Sequence, residues 1–143
     1  MTTADLSRGT TPVPRPTEPG AMLEPMTRGP ISRSQIARFA AATGDFNPIH
    51  TDEAFAQKIG FPSIIAHGPL TLAFLTQALG RNFGPEKVRG VTAQFRAPVL
   101  PGDTLRIEGT VTGVADGRAT CELRVLRGDD DVVATGTGSA EIG

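Results

Sequence analysis

The sequence predicts a single α+β domain in which an antiparallel sheet wraps one long central helix. Three observations carry that reading. The stretch "PLTLAFLTQALG", Pro69 to Gly80, is apolar on nearly every side, as a helix buried in a core must be. The chain after it alternates apolar and polar residues with the period of a half-buried strand. A length of 143 residues makes one domain with one modest core the default.

Each element follows in order. Residues 1–21 set Pro12, Pro14, Pro16 and Pro19 among threonines, a composition that favours extended, solvated chain. They are expected to form a flexible tail, leaving 22–143 as the domain. In "ISRSQIARFAAATG", Ser32 and Gln35 make a capping-box pattern, and Ile36, Phe39, Ala40 and Thr43 fall on one helical face. Gly44 supplies the stop. "TDEAFAQKIG" reads as a second, short helix with Thr51 as N-cap and Gly60 as its end. The central helix begins with Pro69 in its first turn and is expected to stop at Gly80.

Four strands are expected after it. Val91, Ala93 and Phe95 alternate with polar residues, as do Leu105, Ile107 and Val111, and then Ala119, Cys121, Leu123 and Val125. "DVVATGTGSAEI" is the fourth, with glycines that weaken its strand character. Pro101-Gly102 and the segment from Gly128 to Asp131 read as turns. One dry face over consecutive strands fits an antiparallel sheet closed on a single helix.

Composition excludes several functions. Fourteen basic and 15 acidic residues leave a net charge of −1, so no broad positive field exists to hold nucleic acid or an anionic membrane. The absence of Trp and Tyr removes most base-stacking surface. No apolar run approaches the roughly 20 residues of a membrane helix, and the N-terminus lacks the apolar core of a signal peptide. The expected compartment is the cytoplasm. A single cysteine, Cys121, excludes an internal disulfide and a multi-cysteine metal site. Its place on the inward face of a strand makes it a core residue.

"GDFNPIH", Gly44 to His50, is where chemistry concentrates. Asp45 and His50 are expected at the two ends of a loop between helices, with Pro48 holding Asn47 extended. A carboxylate and an imidazole turned toward one point suit proton transfer near neutral pH. One His and one Asp are too few ligands for a metal site. Asn47 can tie the loop to its own backbone. Turn formation alone is the competing explanation of these residues. In "AHGPL", Ala66 to Leu70, a helix N-terminus presents unpaired N–H groups; Gly68, Leu70 and Thr71 are the available donors because Pro69 has none. Such donors can stabilise a polarised carbonyl. His67 reads as a hydrogen-bonded structural histidine.

Together "FAAATGDFNPIHTDEAFA", "AHGPLTLAFL" and "FRAPVLPGDTL" resemble the MaoC-like family, over about residues 30–142. That family includes R-specific enoyl-CoA hydratases and 3-hydroxyacyl thioester dehydratases. The resemblance implies the hot-dog fold, with Asp45 and His50 as the catalytic pair, Asn47 supporting their loop, and the Gly68 N–H binding the thioester carbonyl oxygen. It implies a hydro-lyase that adds water to trans-2-enoyl thioesters to give (3R)-hydroxyacyl thioesters, or reverses that reaction. No metal and no separate cofactor are implied; CoA or a carrier-protein phosphopantetheine is part of the substrate. A homodimer is expected, or a heterodimer with a related hot-dog chain. The alternatives are a non-catalytic acyl-thioester-binding partner subunit of a heteromeric dehydratase, and a hot-dog thioesterase. Arg81, Lys87, Arg89 and Arg96 are candidate phosphate neighbours, and Leu72 and Leu75 candidate walls of an acyl channel. Surface charge and core packing are the simpler readings of these two sets.

Overall fold

The computed structural model describes residues 15–143. Five strands form one sheet in the order β1-β3-β4-β5-β2, and every neighbouring pair is antiparallel. Their bounds are β1 Met26–Arg28, β2 Val88–Phe95, β3 Leu105–Ala115, β4 Arg118–Arg127 and β5 Asp131–Glu141. The helices are α1 Arg33–Thr43, α2 Pro48–Thr51, α3 Glu53–Lys58 and α4 Gly68–Phe83, with a 3-10 turn at Pro85–Lys87.

α4 is the predicted central helix, packed on β2, β3 and β5. Phe74, Leu75, Leu79 and Phe83 are buried along it, facing Leu105, Ile107, Val111, Cys121 and Val125 from the sheet. The period-two alternation places those strand residues inward as expected. The glycines of β5 have a packing reason. A Cβ on Gly138 would stand 2.5 Å from Leu79 Cδ1, so glycine here lets helix and sheet approach closely. Register shifts at Val88/Gly90, Val111/Gly113 and Val125/Leu126 mark irregularities that bend the sheet.

Several expectations are corrected. α4 does not stop at Gly80 but runs one turn further, to Phe83, with Gly84 as C-cap. Gly80 instead lies against Pro85, whose Cα would be 3.3 Å from an added Cβ. A fifth strand, β1, pairs with β3; three residues between Pro25 and Gly29 are too short to show a period. Thr51 is not an N-cap. It ends α2, while Asp52 caps α3 by accepting from the Phe55 N–H. The predicted tail lies outside the described residues up to residue 14. Beyond it Pro16 is buried and the Gly20 N–H donates to the Val111 carbonyl at 2.7 Å, so this end of the segment lies on the sheet.

α1 begins and ends as its sequence dictates. The Ser32 hydroxyl accepts from the Gln35 N–H at 2.9 Å, satisfying a first-turn donor. At the other end Gly44 takes φ 74° and its N–H returns to the Ala40 carbonyl at 2.8 Å. That left-handed turn reverses the chain and delivers Asp45 to the open end of α4.

Candidate active site

The loop between α1 and α2 is shorter than expected, only Asp45 to Asn47. Asn47 has φ −51° and ψ 131°, the extended conformation that a following proline imposes. Its side-chain oxygen caps α2 by accepting from the Ile49 N–H at 3.1 Å. His50 therefore stands in a helical turn and not at a loop end. A rigid turn fixes its ring better than a loop would.

Hydrogen bonds orient the two acid–base groups. His50 Nδ1 lies 2.7 Å from the Ile65 carbonyl oxygen. A carbonyl only accepts, so the proton is on Nδ1 and the Nε2 lone pair faces outward. Nε2 is 3.9 Å from Asp45 Oδ2, and Asp45 Oδ1 accepts from the Asn47 N–H at 3.2 Å. His50 is buried, while the Asp45 carboxylate is about half exposed. Two acceptors at that separation can both reach one water oxygen at ordinary hydrogen-bond lengths.

His67 lies beneath them. Its Nε2–H donates to the Asp45 carbonyl at 3.0 Å, and its ring stacks on His50 with centroids 3.7 Å apart. Gly68 follows as the first residue of α4, where an N–H has no intrahelical acceptor. Of the three expected donors, Leu70 is engaged by the His67 carbonyl at 3.1 Å, which leaves Gly68 and Thr71.

A cavity of about 470 Å³ joins these groups, with Asp45, His50, His67, Gly68, Phe95 and Arg96 in its wall. Phe95 was expected on the dry face of the sheet. It is instead 53% exposed, and its ring lies so near Gly68 that an added Cβ would stand 2.8 Å from Cε2. Phe61, Pro98 and Val99 complete the apolar side; Pro98 and Val99 belong to the stretch "FRAPVLPGDTL", but only the fold-back of the chain shows that they line the cavity. Arg96 is the candidate cation that reaches the cavity. Arg89 is paired with Glu141 at 3.0 Å, and that guanidinium holds the Glu141 carboxyl below its usual range. Leu72 and Leu75 do not line the cavity, and Leu75 is core. Cys121 is core too, its thiol pushed up to about 11 by burial. A larger groove of about 820 Å³ crosses the sheet's polar face, where Glu108 pairs with Arg124 and Arg106.

Asp45, His50 and His67 bring possible metal-ligand atoms within 4.8 Å of one another. The geometry is poor for a metal. An imidazole binds an ion in its ring plane, and planes inclined at only 22° in a stack do not meet at a bonding distance of about 2 Å.

Sheet, buried helix and cavity define a hot-dog domain with a carboxylate and an imidazole beside an open helix N-terminus. The chain belongs to the MaoC-like family: the MaoC like domain matches residues 15–132. It is 35% identical over 119 residues to the (R)-specific enoyl-CoA hydratase of Rhodospirillum rubrum, covering 76% of this chain and 83% of that one. A 3-hydroxybutyryl-CoA dehydratase of Methylorubrum extorquens is 39% identical over 95 residues, 65% of this chain and 60% of that one. Among solved structures, the (R)-hydratase from A. caviae involved in PHA biosynthesis superposes with a TM-score of 0.78 at 28% identity, covering 88% of this chain and 97% of that one. Among the described residues no helix is long and apolar enough to cross a membrane.

Proposed function

We propose that this chain is a hydro-lyase that adds water reversibly to trans-2-enoyl thioesters, giving (3R)-hydroxyacyl thioesters. The observation that carries the reading is the pairing of Asp45 Oδ2 and His50 Nε2 at 3.9 Å beside the Gly68 N–H. The 3R configuration rests on the hydratases this chain resembles.

Water held between the two side chains adds to the β-carbon. Asp45, the principal base, draws off its proton and passes it to His50, whose Nε2 lone pair takes it up and leaves the carboxylate free again. The electron pair of the alkene moves onto the thioester carbonyl, and the Gly68 N–H binds the enolate oxygen. His50 then returns the proton to the α-carbon on the same face. Hydroxyl and hydrogen are both delivered, and the pair returns to its starting state. Dehydration is the same path reversed. No further cofactor is required, since CoA or phosphopantetheine arrives with the substrate. Arg96, which lines the cavity, is the side chain proposed to meet a phosphate of the substrate.

The acting unit is proposed to be a homodimer, with a related hot-dog chain as the other possible partner. Loss of the conjugated-thioester ultraviolet absorbance of crotonyl-CoA and of a longer enoyl-CoA tests the activity. Wild type should consume it, and Asp45→Asn and His50→Asn should fall by about 10²–10⁴-fold. An inactive wild type, on CoA and carrier-linked substrates alike, points to the non-catalytic partner subunit. Release of free thiol points to a thioesterase.

A further inference from the structure

Three parts of the site come from distant points of the chain: the Asp45 carboxylate, the His50 ring and the Gly68 N–H. One side chain touches or adjoins all three. The His67 ring is 1% exposed. Its Nε2–H is given to the Asp45 main-chain carbonyl at 3.0 Å, its face to the His50 ring at 3.7 Å, and its own carbonyl carbon bears the Gly68 nitrogen. Phe39 of α1 closes the other side, with centroids 4.9 Å apart.

The remaining ring nitrogen has no comparable use. His67 Nδ1 is buried with no hydrogen-bond partner among the described residues. A buried polar atom without a partner destabilises the fold. Phenylalanine would fill the space and keep the stack without that cost. What only a donor at the Nε2 position supplies is the bond to the Asp45 carbonyl.

That bond lands where the chain is otherwise loosely held. Asp45 follows the left-handed Gly44, and its own N–H reaches only Thr43 Oγ1, at 3.4 Å. Its carboxylate is half exposed and takes one backbone donor, from Asn47. The carbonyl bond from His67 therefore ties the residue bearing the carboxylate to the start of α4, which is itself locked in the core.

We propose that His67 is a positioning residue for the hydration reaction: its Nε2–H, through the Asp45 carbonyl, sets the carboxylate in register with His50 and Gly68. Its Nε2–H stays on the Asp45 carbonyl throughout, so it transfers no proton in the reaction. This inference rests on the proposed hydratase reading, and its test separates the two.

Two substitutions divide the roles of the ring. His67→Phe keeps the stack and the volume but has no donor. His67→Gln gives up the stack but carries an amide N–H at nearly the same reach. With crotonyl-CoA, His67→Phe is expected to lose about tenfold or more in kcat with KM within about twofold of wild type, because misplacing a catalytic group by a fraction of an ångström slows the chemistry more than binding. His67→Gln should recover a clear part of that loss. Equal kcat in His67→Phe and wild type, or a greater loss in His67→Gln than in His67→Phe, overturns the proposal, since packing and not the donor would then be what matters. The amide ¹⁵N shift of Phe46, the group following the Asp45 carbonyl, reads the same bond without turnover. It should move in His67→Phe and stay near its wild-type value in His67→Gln. Should wild type prove inactive, the hydratase reading fails, and the Phe46 shift still decides whether the His67 donor holds the loop; no movement in His67→Phe sinks that claim too.

Discussion

Replacing Gly68 by proline tests the proposed enolate donor directly, because it deletes one N–H at the first position of α4, and the strain that Pro69 imposes on a residue with a Cβ before it falls on Gly68→Ala as well. Gly68 is the first residue of α4, a position that tolerates proline because its N–H has no helical acceptor. His67 has φ −66° and ψ 139°, the conformation a residue before proline prefers. The added Cβ would meet Phe95 Cε2 at 2.8 Å and Cζ at 2.9 Å. That ring is 53% exposed and can swing toward solvent, so the contact perturbs the cavity more than the core. Gly68→Ala adds the same Cβ and keeps the N–H. The ratio of the two variants therefore isolates the donor, since the steric effect is largely common to both. Loss of a single donor to a developing oxyanion costs about 10²–10³ in kcat, or roughly 2.7–4 kcal/mol. The expected result is that kcat for crotonyl-CoA hydration in Gly68→Pro lies about 10²-fold or more below Gly68→Ala, with similar thermal midpoints for both. A Gly68→Pro enzyme within about threefold of Gly68→Ala would refute the reasoning, because a donor worth so little is not the group that holds the enolate.

Asn47→Ala removes the cap of α2, a bond of 3.1 Å to the Ile49 N–H, and should cost about 1 kcal/mol in urea unfolding. Because α2 carries His50, kcat should fall in the same variant while the unfolding slope stays that of wild type. At Cys121 burial raises the thiol from 9.0 to about 11. Between these values the folded chain keeps a proton that the unfolded chain has lost, so stability falls as pH rises, by about 2–3 kcal/mol across the window. Unfolding midpoints of Cys121→Ala should flatten over the same pH range, and a slope unchanged from wild type would contradict the assignment.

What was legible in the sequence was whatever depends on local periodicity. Leu105, Ile107, Val111 and Cys121 faced inward because alternation is a property of a strand itself. Ser32 and Gly44 bounded α1 because caps are local hydrogen bonds. The misses share the opposite character. β1 is held by β3 and not by its own three residues. Gly80 reads as a stop, yet the helix runs through it to Gly84, which takes the cap instead, and Pro85 leaves little room for a side chain at position 80. Thr51 and Asp52 are both good caps, and the choice between them depended on Pro48 already having opened a turn one residue earlier. At the site, the motif pointed to Asp45, His50 and Gly68. It left His67 a structural histidine, because its bond to the Asp45 carbonyl crosses 22 residues. Phe95 and Val99 lie in the stretch "FRAPVLPGDTL" that carries the family resemblance, but alternation put Phe95 on the dry face and nothing local placed either residue at the cavity.

The site's location follows from how α4 is buried. Phe74, Leu75, Leu79 and Phe83 seal its length against the sheet, and the N–H groups within the helix are spent on its own carbonyls. The first turn is different. Its leading N–H groups have no acceptor behind them, and a proline at Pro69 removes one of them. A helix locked in a core thus presents its unspent donors only where the chain enters it, at Gly68. The side chains that would act beside those donors must then come from a segment able to reach that end and stop. α1 does so through the left-handed Gly44, which turns Asp45 back toward the helix start. α2 follows at once, capped by Asn47, and its single turn brings His50 onto the Ile65 carbonyl two residues before His67. Two of the bonds that fix the pair therefore reach residues just before the α4 N-terminus: the Ile65 carbonyl for the His50 ring, and the His67 ring for the Asp45 carbonyl. The proposed acid–base pair and the proposed enolate donor are registered to one rigid element, which is what the proposed reaction needs when it adds a hydroxyl and a proton to neighbouring carbons from one side.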